Sequence, residues 1–93
     1  MKIKADTAAL AAFLDGWEDA ELLGEKGGRR EYVADFYDLE RPVSMDLILG
    51  KDAFFVDGAA YMSYDEELDG WYIDQAITEA DEVLKVLREA GAL

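Results

Sequence analysis

The sequence predicts an α+β fold with an N-terminal helix, an antiparallel sheet of about four strands and a C-terminal helix. Two observations lead to this fold. Apolar residues recur at helical spacing near both ends of the chain, whereas apolar and polar residues alternate in the middle. Because two apolar helix stripes must be buried, we expect both helices to pack on one sheet face. The 93 residues, 52% of them hydrophobic, suit a single domain over 1–93 with one core.

The first predicted helix begins at Asp6 or Thr7, because either side chain can cap the first turn. Its apolar stripe has members three and four residues apart, namely Leu10, Phe13, Leu14 and Trp17. Ala20 and Leu23 extend this spacing, so we expect the helix to reach Gly24, since glycine favours helix ends. A loop is predicted over residues 25–28.

β-forming residues predict strands in the middle of the chain. The strands are expected over 30–39, 43–49, 53–57, 59–64 and 71–74. Asp57-Gly58 is predicted to form a tight turn or a bulge, and residues 65–70 are predicted to close a hairpin. The second helix is predicted from a sequence resembling a capping box at residues 78–81, and its stripe includes Ala80, Val83, Leu84 and Leu87. Gly91 is expected to end it.

The residue types that are absent exclude many activities. The chain has no Cys and no His, so it has no thiol nucleophile, no imidazole base and no typical zinc or haem site. No serine-hydrolase or phosphate-loop motif occurs either. We therefore expect no catalytic residues and no cofactor, and a small carboxylate-dependent enzyme is a less favoured alternative.

We expect neither a transmembrane span nor a secretory signal. No apolar run approaches the roughly 20 residues of a membrane helix, and no apolar segment follows the N-terminal lysines as a secretory signal requires. With no cysteine to indicate an oxidising compartment, the expected location is the cytoplasm.

The negative charge is concentrated in one part of the chain. The net charge is -13, and residues 31–82 hold 15 acidic residues against Arg41 and Lys51, whereas the two ends together are neutral. The same segment contains nine of the eleven aromatic residues. Because such a surface repels phosphate groups, direct binding to nucleic acid or to anionic membranes is disfavoured, and a basic protein surface is the expected partner.

One acidic segment partly matches a calcium-binding loop. Asp65, Glu67, Asp69 and Gly70 correspond to positions 1, 3, 5 and 6 of such a loop. Position 12, however, is Ala76, where the loop needs a bidentate glutamate. A solvated acidic turn is therefore favoured, and a calcium-binding domain is a less favoured alternative.

The aromatic residues cannot all point into the core if side chains alternate along the strands. In the pair Trp71-Tyr72 one ring faces away from the core, and the same holds for Phe54-Phe55. These outward rings either cover sheet surface or form the centre of a protein interface ringed by acids.

Carboxylates at strand spacing can imitate a nucleic-acid backbone, because residues i and i+2 on one strand face lie roughly 6.5–7 Å apart. That distance is close to the step between successive phosphates. The predicted partner-binding residues are Asp35, Asp46, Asp57, Asp65, Glu66, Glu67, Asp69, Trp71, Tyr72 and Asp74.

In size, acidity, absence of Cys and His, and mixture of acidic and aromatic residues, the sequence resembles small phage-encoded inhibitors of bacterial defence. Examples are anti-CRISPR and anti-restriction proteins that mimic nucleic acid. The resemblance covers the whole chain in composition and layout, and it carries over no motif residues. It implies a non-catalytic inhibitor in the host-cell cytoplasm. This inhibitor would occupy a basic nucleic-acid-binding surface of another protein, for example of a CRISPR effector. The alternative is an acidic interaction or adaptor module, including an antitoxin or immunity protein.

Overall fold

The computed structural model describes residues 1–93 and contains two helices and six strands. In chain order these elements are β1 (Lys2–Lys4), α1 (Thr7–Asp15), β2 (Ala20–Lys26), β3 (Arg29–Phe36), β4 (Val43–Leu49), β5 (Ala53–Asp65), β6 (Gly70–Ala76) and α2 (Ala80–Glu89). The α+β class and the antiparallel sheet are confirmed, but the sheet has six strands and not about four. Neither helix is long and apolar enough to cross a membrane.

The strands lie in the order β1-β5-β4-β3-β2, and β6 also pairs with β5. The 13-residue strand β5 makes this arrangement possible, because β1 pairs with its first three residues and β6 pairs with its second half. Both short strands therefore lie on the same side of β5, and β4 lies on the other side.

The core lies between the helices and one face of the sheet. Strand β4 contributes alternate buried residues, Val43, Met45, Leu47 and Leu49, as its pattern predicted. The helices contribute Leu10, Leu14, Val83, Val86 and Leu87 to the same hydrophobic cluster. We call this side of the sheet the helix side and the opposite side the outer face.

The first helix is shorter than predicted. It ends at Asp15, with Gly16 as its C-cap, and residues 20–26 form β2, which pairs with β3. The helical spacing of Leu23 was misleading, because this side chain is 52% exposed and belongs to no buried helix stripe. Trp17 belongs to the turn after the helix, where its indole Nε1 donates a hydrogen bond to the carbonyl oxygen of Asp35 at 3.0 Å.

Three smaller predictions also need correction. Residues 53–65 form one strand and not two, although the bulge alternative at Asp57-Gly58 is confirmed, because Asp46 pairs with Gly58 while Leu47 pairs with Val56. The strand predicted to reach Leu39 ends at Phe36. The capping box does not form, since Glu79 is the N-cap residue of α2 and makes no side-chain capping bond.

The molecule is elongated, with extents of 42 × 25 × 20 Å. The turns β2–β3 and β4–β5 lie at one end of the strands, and the β3–β4 connection and the β5–β6 turn lie at the other. Charge follows the same division: the first end carries Lys26, Arg29 and Lys51, and the second carries the acidic turn 65–69.

Candidate protein-binding surface

The second half of β5 and most of β6 form a two-stranded extension of the sheet. The pairing between β4 and β5 ends at Val43 and Tyr61. Beyond this point β5 and β6 pair only with each other. We call residues 63–73 the arm. Because an isolated hairpin is marginally stable, the arm needs contacts of its own to hold its shape.

Hydrogen bonds within the turn supply part of this support. One carboxylate oxygen of Asp65 accepts bonds from the backbone N–H groups of Glu67 at 2.9 Å and Leu68 at 3.2 Å. The hydroxyl of Tyr64 donates to the carboxylate of Asp69, a residue with a φ of 50°. Glu66 and Glu67 make no side-chain hydrogen bond or ion pair, so their charges are directed only to solvent or to a partner.

An aromatic row supports the arm on its outer face. Tyr64 pairs with Trp71 across the two strands, with ring centroids 5.4 Å apart in an edge-on arrangement. Trp71 also contacts Tyr37, in the β3–β4 connection, at 5.3 Å. Since such aromatic contacts stabilise beyond their buried area, Trp71 links the arm to the body of the sheet.

The arm exposes an unusual amount of apolar surface. Leu68 is 79% exposed and Ile73 71% exposed, while Trp71 and Tyr72 are 45% and 49% exposed. Large apolar side chains grouped in this way are typical of interaction sites. Trp71 faces the outer side with Tyr64, and Tyr72, paired with Ser63, faces the helix side.

Acidic residues continue this surface onto the outer face of the main sheet. Asp35 pairs with Ser44, and Asp46 lies two residues further along β4, so these two carboxylates are diagonal neighbours on one face. Such neighbours are about 7–8 Å apart. The hydroxyl of Tyr37 donates to Asp35 at 3.4 Å, which connects the acidic face to Trp71. Partial burial and the charge of Asp35 raise the pKa of Tyr37.

Asp74 lies on the other side of the sheet. It is the extra residue of a β6 bulge, since Tyr61 pairs with Gln75 and Met62 pairs with Ile73. Its carboxylate accepts a bond from Ser63 Oγ at 2.8 Å and lies 3.9 Å from a guanidinium nitrogen of Arg41. The charge of Asp74 is therefore partly compensated and faces the helix side.

The predicted residues thus fall into three groups. The outer face holds Asp35, Asp46 and Trp71. Asp57 is exposed at the β5 bulge, next to Gly58, and Gly58 pairs with Asp46. The arm turn holds Asp65, Glu66, Glu67 and Asp69, and the helix side holds Tyr72 and Asp74. Sequence reasoning missed Tyr37, Tyr64, Leu68 and Ile73, which complete the surface. The signal for Ile73 was its place beside two aromatic residues in an edge strand.

The opposite end of the molecule has the contrary charge. Lys2, Lys26, Arg29 and Lys51 lie there and make no salt bridge, whereas Arg30 pairs with Glu25 at 2.7 Å and Asp15 at 3.3 Å. Lys2 and Arg29 both lie over the ring of Phe55, at 5.9 and 5.6 Å from its centroid. The chain therefore has a basic pole and an acidic pole, and the arm forms the acidic pole.

No three acidic side chains are grouped so as to hold a metal ion. In the segment that partly matches a calcium loop, Asp65 instead binds two backbone N–H groups of its own turn. The arm and the outer face thus combine exposed carboxylates with exposed aromatic rings.

Comparison with known proteins gives no match to a family model, to a curated protein or to a solved structure.

Proposed function

We propose that this protein is a non-catalytic inhibitor that uses its arm and outer face to occupy a basic, nucleic-acid-binding surface of another protein. The observation that carries the proposal is the connection of Asp35, Tyr37 and Trp71. These residues join the carboxylates of the sheet to the exposed aromatic residues and acidic turn of the arm. One continuous surface thus offers both negative charge and apolar contact.

The negative charge favours a basic partner and disfavours nucleic acid itself. Asp35 and Asp46 have the spacing of neighbouring strand positions, which approximates the spacing of phosphates, and Glu66 and Glu67 add free charges at the tip. An acidic surface of this kind competes with nucleic acid for a groove lined by Lys and Arg. Its association is fast at low salt and weakens as salt rises.

The aromatic residues favour a protein partner over a purely ionic attraction. Trp and Tyr commonly dominate binding energy at protein interfaces when charged residues surround them. Trp71 lies between Tyr37 and Tyr64, and its ring is half exposed. A partner that covers this ring gains apolar burial beside its ionic contacts. In a bacterial cell, the proposed targets are cytoplasmic nucleic-acid-binding complexes, among them CRISPR effectors.

The test is affinity capture from a nuclease-treated bacterial lysate at low salt, followed by elution with rising salt or with added duplex DNA or RNA. We expect a nucleic-acid-binding protein to be captured and to be released by the nucleic acid. Purified target should then lose nucleic-acid binding when this protein is added. Captured proteins that nucleic acid does not displace would refute the proposal.

The exposed apolar residues support a second candidate, an adaptor, antitoxin or immunity-type protein. Leu68 and Ile73 are the most exposed large apolar side chains of the chain, and mimicry of phosphates does not require them. In that case binding depends mainly on apolar burial, and its affinity changes little with salt. Measuring the affinity of the captured partner at two salt concentrations separates the two candidates.

A further inference from the structure

We propose that strand β6 is a docking edge that binds an extended basic segment of the partner as an added antiparallel or parallel strand. This inference rests on the proposed function and names the partner chemistry of the same surface. The added strand extends the sheet beyond β6, so backbone hydrogen bonds supply affinity and side chains supply selectivity.

The first observation is that the edge of β6 is open. The strand pairs with β5 alone, and its residues from Trp71 to Ala76 are all exposed. Strand β1 lies on the same side of β5 but pairs only with residues 53–55, and the contacts of the N-terminus extend no further along β5 than Val56, whose N–H donates to the Met1 carbonyl oxygen. The outward N–H and C=O groups of β6 therefore remain available to another strand.

The second observation is that β6 has little of the protection that edge strands normally show. Proteins block edges with lysine, proline, charged side chains or β-bulges. Strand β6 has no Lys or Pro, and its single charged residue and its bulge coincide at Asp74, so Trp71 to Ile73 carry no such protection. The other edge strand, β2, contains Glu21, Glu25 and Lys26. Trp71, Tyr72 and Ile73 are also strong β-formers, which suits a strand that pairs on both sides.

The third observation is the charge around this edge, which selects a basic segment. The acidic turn 65–69 lies at the start of β6, and Asp74 and Glu79 lie within and after it. The nearby base Arg41 is engaged, since it contacts Asp74 at 3.9 Å and stacks on Tyr61 at 4.0 Å. A second copy of this chain would bring the same acids together, so repulsion disfavours self-pairing.

The side chains of β6 define the pattern of the bound segment. Neighbouring strands place adjacent side chains on a shared face. On the outer face the added strand meets Trp71 and Ile73, and on the helix side it meets Tyr72 and Asp74. Apolar residues therefore fit one face and Lys or Arg fits the other, which gives an alternating basic and apolar segment.

The test uses two synthetic peptides of alternating lysine and valine, identical except that alternate backbone nitrogens of the second are methylated. Methylation keeps the charge and removes the N–H groups that a strand needs. We expect the unmethylated peptide to bind and to quench Trp71 fluorescence. The methylated peptide should bind at least about tenfold more weakly, since it loses backbone hydrogen bonds along the edge.

Protein variants locate the site. Ile73→Lys places a charge on the edge and should abolish measurable peptide binding, whereas Leu68→Lys makes the same charge change at the exposed tip and should weaken it only modestly. Equal weakening by the two variants would overturn the edge assignment. Circular dichroism and melting temperature establish that both variants fold.

The remaining outcomes separate this inference from the proposed function. Equal affinity for both peptides overturns strand addition but leaves an ionic mimic intact, which the lysate capture still tests. Binding of neither peptide also overturns strand addition. Light scattering that shows a dimer, with Ile73→Lys restoring the monomer, would assign the edge to a second copy and overturn the basic segment. None of these three results affects the test of the proposed function, which is the release of the captured partner by nucleic acid.

Discussion

The rings of Tyr37 and Trp71 meet with their centroids 5.3 Å apart and their planes at 53°. Tyr37 follows β3 and Trp71 begins β6, so this contact joins two segments that are not neighbouring strands. No residue of the arm belongs to the main hydrophobic cluster. This contact therefore helps to orient the arm relative to the sheet, together with the continuous strand β5, the hydrogen bonds of the arm and the connection from Ser63 through Asp74 to Arg41.

Replacing Trp71 by Ala should loosen the arm without unfolding the protein. Loss of the contacts with Tyr37 and Tyr64 removes about 1 kcal/mol, which corresponds to roughly fivefold faster amide exchange in residues 63–72. The melting temperature should change little, because the core cluster is untouched. Hydrogen–deuterium exchange read by mass spectrometry or NMR measures both quantities.

Tyr72→Ala is the matched control for this prediction. Tyr72 is the next residue in β6 and is about as exposed as Trp71, but its ring has no aromatic partner. Its removal should leave exchange in the arm nearly unchanged. Equal acceleration by the two variants would show that the aromatic row does not hold the arm.

Neutralising Glu66 and Glu67 should weaken binding to a basic partner. The variant Glu66→Gln with Glu67→Gln keeps the turn, because Asp65 and Asp69 make the hydrogen bonds that hold it. We expect lower affinity at low salt and a shallower dependence of affinity on salt. Isothermal titration against the captured partner at several salt concentrations measures the change.

The control for this pair removes the same charge elsewhere. Glu18 follows α1 and Glu89 ends α2, and both are exposed and outside the proposed surface. Glu18→Gln with Glu89→Gln should leave the affinity nearly unchanged. Glu21 is unsuitable as a control, since it pairs with Val33 in the same cross-strand row as Asp46 and shares the outer face. Similar losses for both pairs would show that only the total charge matters.

Sequence patterns predicted the structure correctly where a helix or a strand buries one of its faces. Strand β4 was predicted to the residue because Val43 to Leu49 alternate between the core and the outer face. Helix α2 was predicted by its stripe of buried residues, although its cap was not. Strand β2 was missed because Leu22 and Leu23 are exposed on an edge, where burial imposes no pattern. Strand β1 has three residues, which is too short for a sequence pattern to appear.

The geometry of the candidate binding surface was predicted less completely than the fold. The concentration of acids in residues 31–82 directed attention to this segment, but a bulge changes the face to which the following side chains point. The bulge at Asp57 was among the predicted possibilities, because Asp57-Gly58 is a turn-forming pair, but nothing in a strict alternation indicates the bulge at Asp74. The pairing of Trp71 with Tyr37 depends on strand order, which local sequence does not specify.

The turn between β2 and β3 should tolerate no side chain at Gly28. Gly27 and Gly28 have φ values of 60° and 76°, a backbone conformation typical of a tight hairpin turn. Gly28→Ala should lower the free energy of unfolding by about 1–2 kcal/mol because of this conformation.

Gly24→Ala is the control, since Gly24 has ordinary φ and open space around a Cβ. Its free energy of unfolding should stay equal or rise by up to about 1 kcal/mol. Urea denaturation measures both, and a loss at Gly24 as large as at Gly28 would contradict the assignment.

Tyr32 should make the fold sensitive to alkaline pH. Its hydroxyl donates to a carboxylate oxygen of Asp15 at 2.6 Å, and its side chain is almost fully buried. Burial, together with this hydrogen bond, raises the pKa of Tyr32 to about 12 from the usual 10. Because the folded pKa exceeds the unfolded one, the neutral phenol stabilises the fold below about pH 10, and this contribution is lost as the pH rises toward 12.

The variant Tyr32→Phe tests this sensitivity. It should lower the free energy of unfolding by about 1–3 kcal/mol at pH 7, because the hydrogen bond to a charged group is lost. Between pH 10 and 12 the difference between wild type and variant should shrink, since only the wild type loses the neutral phenol. The matched control Tyr72→Phe removes an exposed hydroxyl and should show no such convergence. Denaturation at each pH, with absorbance of the ionised phenol as a second readout, measures the effect. A constant difference up to pH 12 would contradict the raised pKa of Tyr32.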